Sequence, residues 1–265
     1  MTQPPLQTGT DVRMTPEVET TSSQPGSGGA IPPRVSIWED FLDIFYDPSA
    51  VFARREGGSV WVPTLVVTAL IGTFFVVNSG IIDPIMEAEF RRTMAANARS
   101  GGAQLSAADI ERARQFAVTF GKFMGIVTIP ILIVLMGLTL WLVGKLVGAQ
   151  QSARAAIIVA AYAYMPKALE AVLSSVQGLL IDTSTLDGRF RMSFGIGRFL
   201  DPDITAPALL AFLGRVDVFT LWVTVLLAIG LSVTGKIPRS QAALAAALVW
   251  IVGALPSVLP ALMQG

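Results

Sequence analysis

The chain has 265 residues, 52% hydrophobic and 14% charged, with a formal net charge of zero and a mean hydropathy of +0.62. Soluble domains carry about 25% charged residues, so this balance predicts a membrane protein, and the missing net basic charge gives no field for nucleic acid. Neither Cys nor His occurs, which excludes disulfides, zinc sites with His or Cys ligands, haem held by His, thiol nucleophiles and Ser-His-Asp catalysis, while a site built on carboxylates alone stays open.

Residues 1–35 are rich in Pro, Thr, Ser and Gly and hold no apolar run. Such a composition buries too little surface to offset chain entropy, so it predicts a disordered cytoplasmic tail without a cleavable signal peptide. Residues 36–265 are expected to form one membrane domain. At its start, Ile37, Trp38, Phe41, Leu42 and Phe45 recur at helical spacing, while Glu39, Asp40 and Asp43 fall off that stripe. The pattern predicts an amphipathic helix lying in the membrane interface, with Trp38, Phe41 and Phe45 at headgroup level. Docking on a partner is the alternative. Asp47 reads as the N-cap of a second short helix with Pro48 at its first position, ending near Arg54 and Arg55 before Gly57-Gly58.

Five apolar segments follow, at roughly 62–82, 123–144, 155–181, 216–234 and 242–263. Each is close to the ~20 residues a spanning helix needs. The expected fold is therefore an all-α integral membrane protein, a five-helix bundle preceded by the interfacial helix. Between the first two spans, Asp83-Pro84 predicts the start of one helix ending by "RSGG". Ser106 with Asp109 predicts the capped start of another that runs into the second span. Residues 182–215 are less regular; "DGRFRMSFGIGRFLDPD" has turn chemistry at both ends, and "TAPALLAFLG" reads as a short helix with an N-cap, an early Pro and a Gly stop. "GKFMG", "GKLVG" and the Ala-rich "QAALAAALVW" offer small residues for close helix contact.

The short connectors hold Lys145 with Arg154 and Lys236 with Arg239, with no acid in either, and Arg54 and Arg55 precede the first span. If five spans alternate, all three basic sites share a side. Basic residues concentrate on the cytoplasmic side, so the N-terminus is expected inside and the C-terminus outside.

The third span carries Pro166, Lys167 and Glu170. Its ten Leu, Ile and Val residues between 155 and 181 contribute on the order of −5 kcal/mol to insertion, whereas a charge at the helix centre costs roughly 2.5–3.5 kcal/mol. Two such charges must face protein, water or each other. Three residues apart, they share a face and can pair. Pro166 removes a backbone hydrogen bond to Tyr162, predicting a kink and a freed carbonyl that Lys167 could help satisfy. The group reads either as a polar node fastening the span to its neighbours or as part of a path for an ion, proton or lipid headgroup.

"DIFYDPSAVFARRE", "LVGAQQSARAAIIVAAYAYMP" and "RVDVFTLWVTVLLAIGLSV", in that order, resemble the bacterial branch of the Yip family over roughly 36–262. The most specific parts hold Asp47, Pro48 and Phe52, the break at Pro166, and Asp217, Phe219 and Trp222. The resemblance implies a five-span bundle with a cytoplasmic N-terminus in a bacterial inner membrane, and no enzymatic site, metal or cofactor. Eukaryotic members bind Rab GTPases; the DLYGP-like motif of those members is absent here. Expected partners are the bilayer and other membrane proteins or further copies of the chain. A scaffold or adaptor is the first reading, a small permease or transporter subunit using Lys167 and Glu170 the second, and a membrane enzyme the third.

Overall fold

The computed structural model describes residues 1, 2, 36–99, 101, 106–180 and 192–263. The chain divides into Met1–Val35 and Ser36–Gly265. The tail expected over the first unit lies, after its first two residues, outside the described residues, as do 181–191 with the turn expected at "DGRFR".

Helix α1 (Ile37–Asp43) opens on a capping box in which Ser36 accepts from Trp38 N–H and Glu39 accepts from Ser36 N–H. Helix α2 (Pro48–Arg55) starts as expected, with Asp47 accepting from Ala50 N–H at 3.1 Å and Pro48 in the first turn. Charge joins the two. Asp40 is fully buried and holds Arg54 Nε at 2.6 Å and Arg55, while Arg54 also pairs with Asp43. Asp40 thus turns inward, away from the outer polar face that helical spacing suggests, because α2 brings two guanidinium groups to it. Phe41 packs on Tyr162 and Phe45 edge-on against Trp222, both with ring centroids 5.4 Å apart, whereas Trp38 is 66% exposed. Two aromatics of the stripe therefore pack on the bundle, and Trp38 faces outward.

Helix α3 (Trp61–Val77) gives way to α4 (Ser79–Arg99) through an 82° bend. Asn78 sits at the corner; its amide donates to Phe74 O and to Ser175 Oγ at 2.7 Å. The N–H groups of Ile81 and Ile82 bond to Asn78 O, so α4 starts there and Pro84 lies inside it. This start precedes the one expected at Asp83-Pro84, because Asn78 supplies the local nucleus. Helix α5 (Ala107–Leu146) is capped by Ser106 as expected and runs 40 residues without interruption. At 1.5 Å per residue it is about 60 Å long, twice a ~30 Å hydrocarbon core, so part of it must lie beyond the membrane. There it pairs with α4 through Lys122–Asp83 at 2.5 Å and Arg114–Glu87 at 3.7 Å.

Beyond α5 come α6 (Ala153–Ala163), α7 (Met165–Leu180), a 3₁₀ turn at Ile196–Phe199, α8 (Pro207–Leu213), α9 (Val218–Gly235) and α10 (Arg239–Met263). Among the described residues there is no strand, and one isolated bridge pairs Gly195 with Asp217. Four units are long and apolar enough to cross a bilayer: α5, α6 with α7, α9 and α10. The bent pair α3–α4 makes a fifth if it acts as one span.

The two short connectors touch: Gln150 N–H donates to Gly235 O at 3.0 Å, and the buried Thr234 hydroxyl donates to Gln151 Oε1 at 2.6 Å. Arg154 donates to Gly58 O at 2.8 Å. All three basic sites thus gather at one end of the bundle. Small residues set the helix spacing. A Cβ on Gly137 would stand 2.5 Å from Ile157 Cα, and one on Gly230 would meet Val159 and Phe52. In "GKFMG", Gly121 faces Met86 and Gly125 faces Phe75.

Because the atom facing Gly137 is backbone, α5 and α6 must separate to accept a side chain there. Gly137→Val is expected to destabilise the detergent-solubilised protein by about 1–3 kcal/mol, as overpacking does. Gly57→Val, which meets nothing within 4 Å, should leave the unfolding midpoint unchanged. Equal midpoints for the two variants would refute the close α5–α6 contact.

Candidate functional site

The site begins with a missing donor. Pro166 has no N–H for Tyr162 O, so the helical ladder resets at Tyr164: its N–H bonds to Ala160 O, and Lys167 N–H bonds back to Tyr164 O at 3.0 Å. α6 and α7 still form one 28-residue apolar unit. The expected break therefore sits at Tyr164, two residues before the proline.

Beyond the reset, Lys167 Nζ lies 2.7 Å from Glu170 Oε2 and 3.4 Å from Asp217 Oδ1. The side chains are 21%, 22% and 6% exposed respectively. The expected Lys167–Glu170 pair is present, but the ammonium is shared with a second carboxylate from another span and does not turn to the freed carbonyl. Two carboxylates outcompete one peptide oxygen for a desolvated cation.

Asp217 is the residue that spacing along one helix could not reveal. It is the N-cap of α9: Oδ1 accepts from the N–H groups of Phe219 at 3.0 Å and Thr220 at 2.9 Å, and the Thr220 hydroxyl donates to Oδ2. Asp217, Phe219 and Trp222 of "DVFTLW" each have a partner. Asp217 caps and holds Lys167, Phe219 packs edge-on against Phe194 at 5.4 Å, and Trp222 meets Phe45. An acid placed immediately before an apolar run was the available signal for the cap; its second partner, Lys167, is set by the fold.

Depth follows from helix rise. Lys167 stands roughly 20 Å along α6–α7 from Ala153, and Asp217 about 27 Å along α9 from Gly235. Ala153 and Gly235 both lie at the end where the short connectors meet. Lys167 thus stands at the middle of the α6–α7 unit and Asp217 at the far end of α9.

A cavity of about 470 Å³ opens beside the cluster, lined by Lys167, Glu170, Asp217, Ser193, Thr220 and Arg215. The Arg215 side chain makes no hydrogen bond or ion pair with any described residue, and its Nε is buried without a partner. Its Nη2 lies 3.0 Å from where a Cβ on Gly253 would stand. Burial pulls this guanidinium below the ordinary arginine value, against the raising influence of Tyr164 and Asp217; it remains charged at neutral pH. Two cations and two carboxylates therefore line one cavity, with Lys167 engaged twice and Arg215 open.

Residues 42–259 match the family model described as the Yip1 domain. No curated protein and no solved structure matches the chain.

Lys167 compensates two carboxylates, so its loss should be the most damaging change in the cluster. Lys167→Met is expected to lower detergent-solubilised stability by about 3–5 kcal/mol, as removal of one partner of a buried pair does. Glu170→Gln should cost less, because Asp217 still faces the ammonium. Lys167→Met/Glu170→Leu should recover part of the loss. Thermal unfolding of the three variants reads this directly, and additive effects of the single changes would show that the residues do not interact.

Proposed function

Because the chain belongs to the Yip1 domain family, we propose that this multi-pass helical membrane protein is a non-enzymatic scaffold or adaptor that organises other membrane components, in a bacterial cytoplasmic membrane. The observation carrying this reading is that Lys167 and Asp217, and likewise Asp40, are spent on contacts between helices. Lys167 ties α7 to the cap of α9, Asp40 ties α1 to α2, and both fix where helices sit relative to one another. A rigid frame is what a surface for partners requires. The absence of Cys and His from the sequence removes most routes to catalysis. We further propose that five spans cross the bilayer, with α3–α4 as the first, Trp38 at the cytoplasmic headgroup layer, the N-terminus inside and the C-terminus outside, since the clustered basic connectors favour the cytoplasmic side.

One observation favours the second reading, a small permease or transporter subunit: the 470 Å³ cavity beside ionisable residues within a spanning unit. Reconstitution separates the two. For a scaffold, cation and proton flux into proteoliposomes should equal the protein-free background, with or without Lys167→Met/Glu170→Leu. Flux above background that this double change abolishes would overturn the scaffold reading in favour of transport.

The absence of native Cys makes orientation measurable with single reporters. Ala108 lies in the exposed first turn of α5 and Gln150 in an exposed part of the short connector. In intact spheroplasts, an impermeant maleimide is expected to label an Ala108→Cys variant at once and a Gln150→Cys variant only after permeabilisation. The reverse pattern would invert the topology.

A further inference from the structure

Two groups in the polar cavity remain open. Arg215 presents a guanidinium without a hydrogen-bond or ion-pair partner among the described residues. Glu170 has only the Lys167 ammonium, although an ionised carboxylate accepts about four hydrogen bonds. Asp217, by contrast, is occupied by two backbone N–H groups, a hydroxyl and Lys167. Among the described residues the cavity thus offers one open cation and one open anion, and the four charged side chains that line it already balance. A simple anion would leave the site net negative, and a simple cation net positive. A zwitterion fits both open groups and adds no net charge. The planar guanidinium fork suits a phosphate in particular.

A second cavity, of about 300 Å³, shows which kind of zwitterion fits. It is lined by Ile71, Ile129 and Ala171, and it shares Tyr164, Lys167, Glu170 and Ser174 with the first. The charged chamber therefore continues, across the residues the two share, to an apolar wall of Ile71, Ile129 and Ala171, which is the profile of an amphiphile.

We propose that the two cavities together hold one zwitterionic phospholipid, its phosphate on Arg215, its ammonium on Glu170, and the start of an acyl chain against Ile71, Ile129 and Ala171. This assignment goes beyond the scaffold reading and does not depend on it, because a structural lipid serves a frame as well as a transporter.

The test is thermal unfolding of the purified full chain in detergent, titrated with phosphatidylethanolamine, phosphatidylglycerol or soluble O-phosphoethanolamine. Phosphatidylethanolamine is expected to raise the midpoint in a saturable way, phosphatidylglycerol to act more weakly, and O-phosphoethanolamine to have no effect at the same concentrations. Arg215→Gln should raise the half-saturating lipid concentration by about tenfold or more, the scale of one lost charge-assisted contact, and Arg215→Lys should restore part of it. Ala171→Phe fills the second chamber without removing a charged side chain and should weaken lipid binding similarly, which keeps the test decisive if Arg215→Gln does not fold. Equal responses to the two lipids, no response to phosphatidylethanolamine, or unchanged binding in both Arg215→Gln and Ala171→Phe would overturn the proposal. Saturation by O-phosphoethanolamine at the lipid's own concentration would overturn the lipid assignment in favour of a soluble zwitterion.

Discussion

Pro166 cannot donate to the carbonyl of Tyr162, and the arrangement of the polar cluster follows from that one missing hydrogen. The ladder resets at Tyr164, α7 starts a new phase, and Lys167 emerges beside both Glu170 and the cap of α9. An apolar bundle in lipid has little hydrophobic drive between its helices, so small-residue packing and polar contacts must fix their mutual positions. Gly137 and Gly230 let backbones approach; Lys167 and Asp217 then set which turn of α7 faces which end of α9. A carboxylate that caps one helix and holds a cation from another joins local and tertiary structure in a single side chain.

The same device appears at the other polar cluster. Asp40 is buried because Arg54 and Arg55 come to it from the next helix, and the α1–α2 unit then buries Phe41, Val51 and Phe52 in the bundle core. Buried ion pairs contribute little net stability, since desolvation opposes their attraction. Their role here is to specify one docking among several that apolar packing alone would tolerate. Arg215 departs from this pattern. It is a cation brought into a cavity without a side-chain partner among the described residues, and an open charge in such a place is better explained by a ligand than by the frame.

Much of the helical layout was legible in the sequence because its causes are local. Long apolar runs mark α5, α9 and α10; Asp47-Pro48, Ser106 and the Pro207–Gly214 stretch mark helix starts and stops. The bend at Asn78 was not legible, since the apolar run continues through it to Ile82 and the turn depends on an amide that also reaches Ser175. Lys167–Glu170 was legible as an i,i+3 pair. Lys167–Asp217 was not, because fifty positions separate the two and only the fold brings them together. Asp40 misled for the same reason: helical spacing put it outside, and the guanidinium groups that pull it inward lie on another helix. Trp38, Phe41 and Phe45 form one stripe in sequence, but two of them meet rings contributed by Tyr162 and Trp222.

The most direct measurement of the central tie is a double-mutant cycle across Lys167 and Asp217. Asn is as good an N-cap as Asp, so Asp217→Asn keeps the start of α9 while removing the charge. Unfolding free energies of wild type, Lys167→Met, Asp217→Asn and the double variant should give a coupling of about 1 kcal/mol or more, as contacting residues do. Additivity within about 0.5 kcal/mol would mean that Lys167 does not tie α7 to α9, and the organisation of the bundle would need another cause.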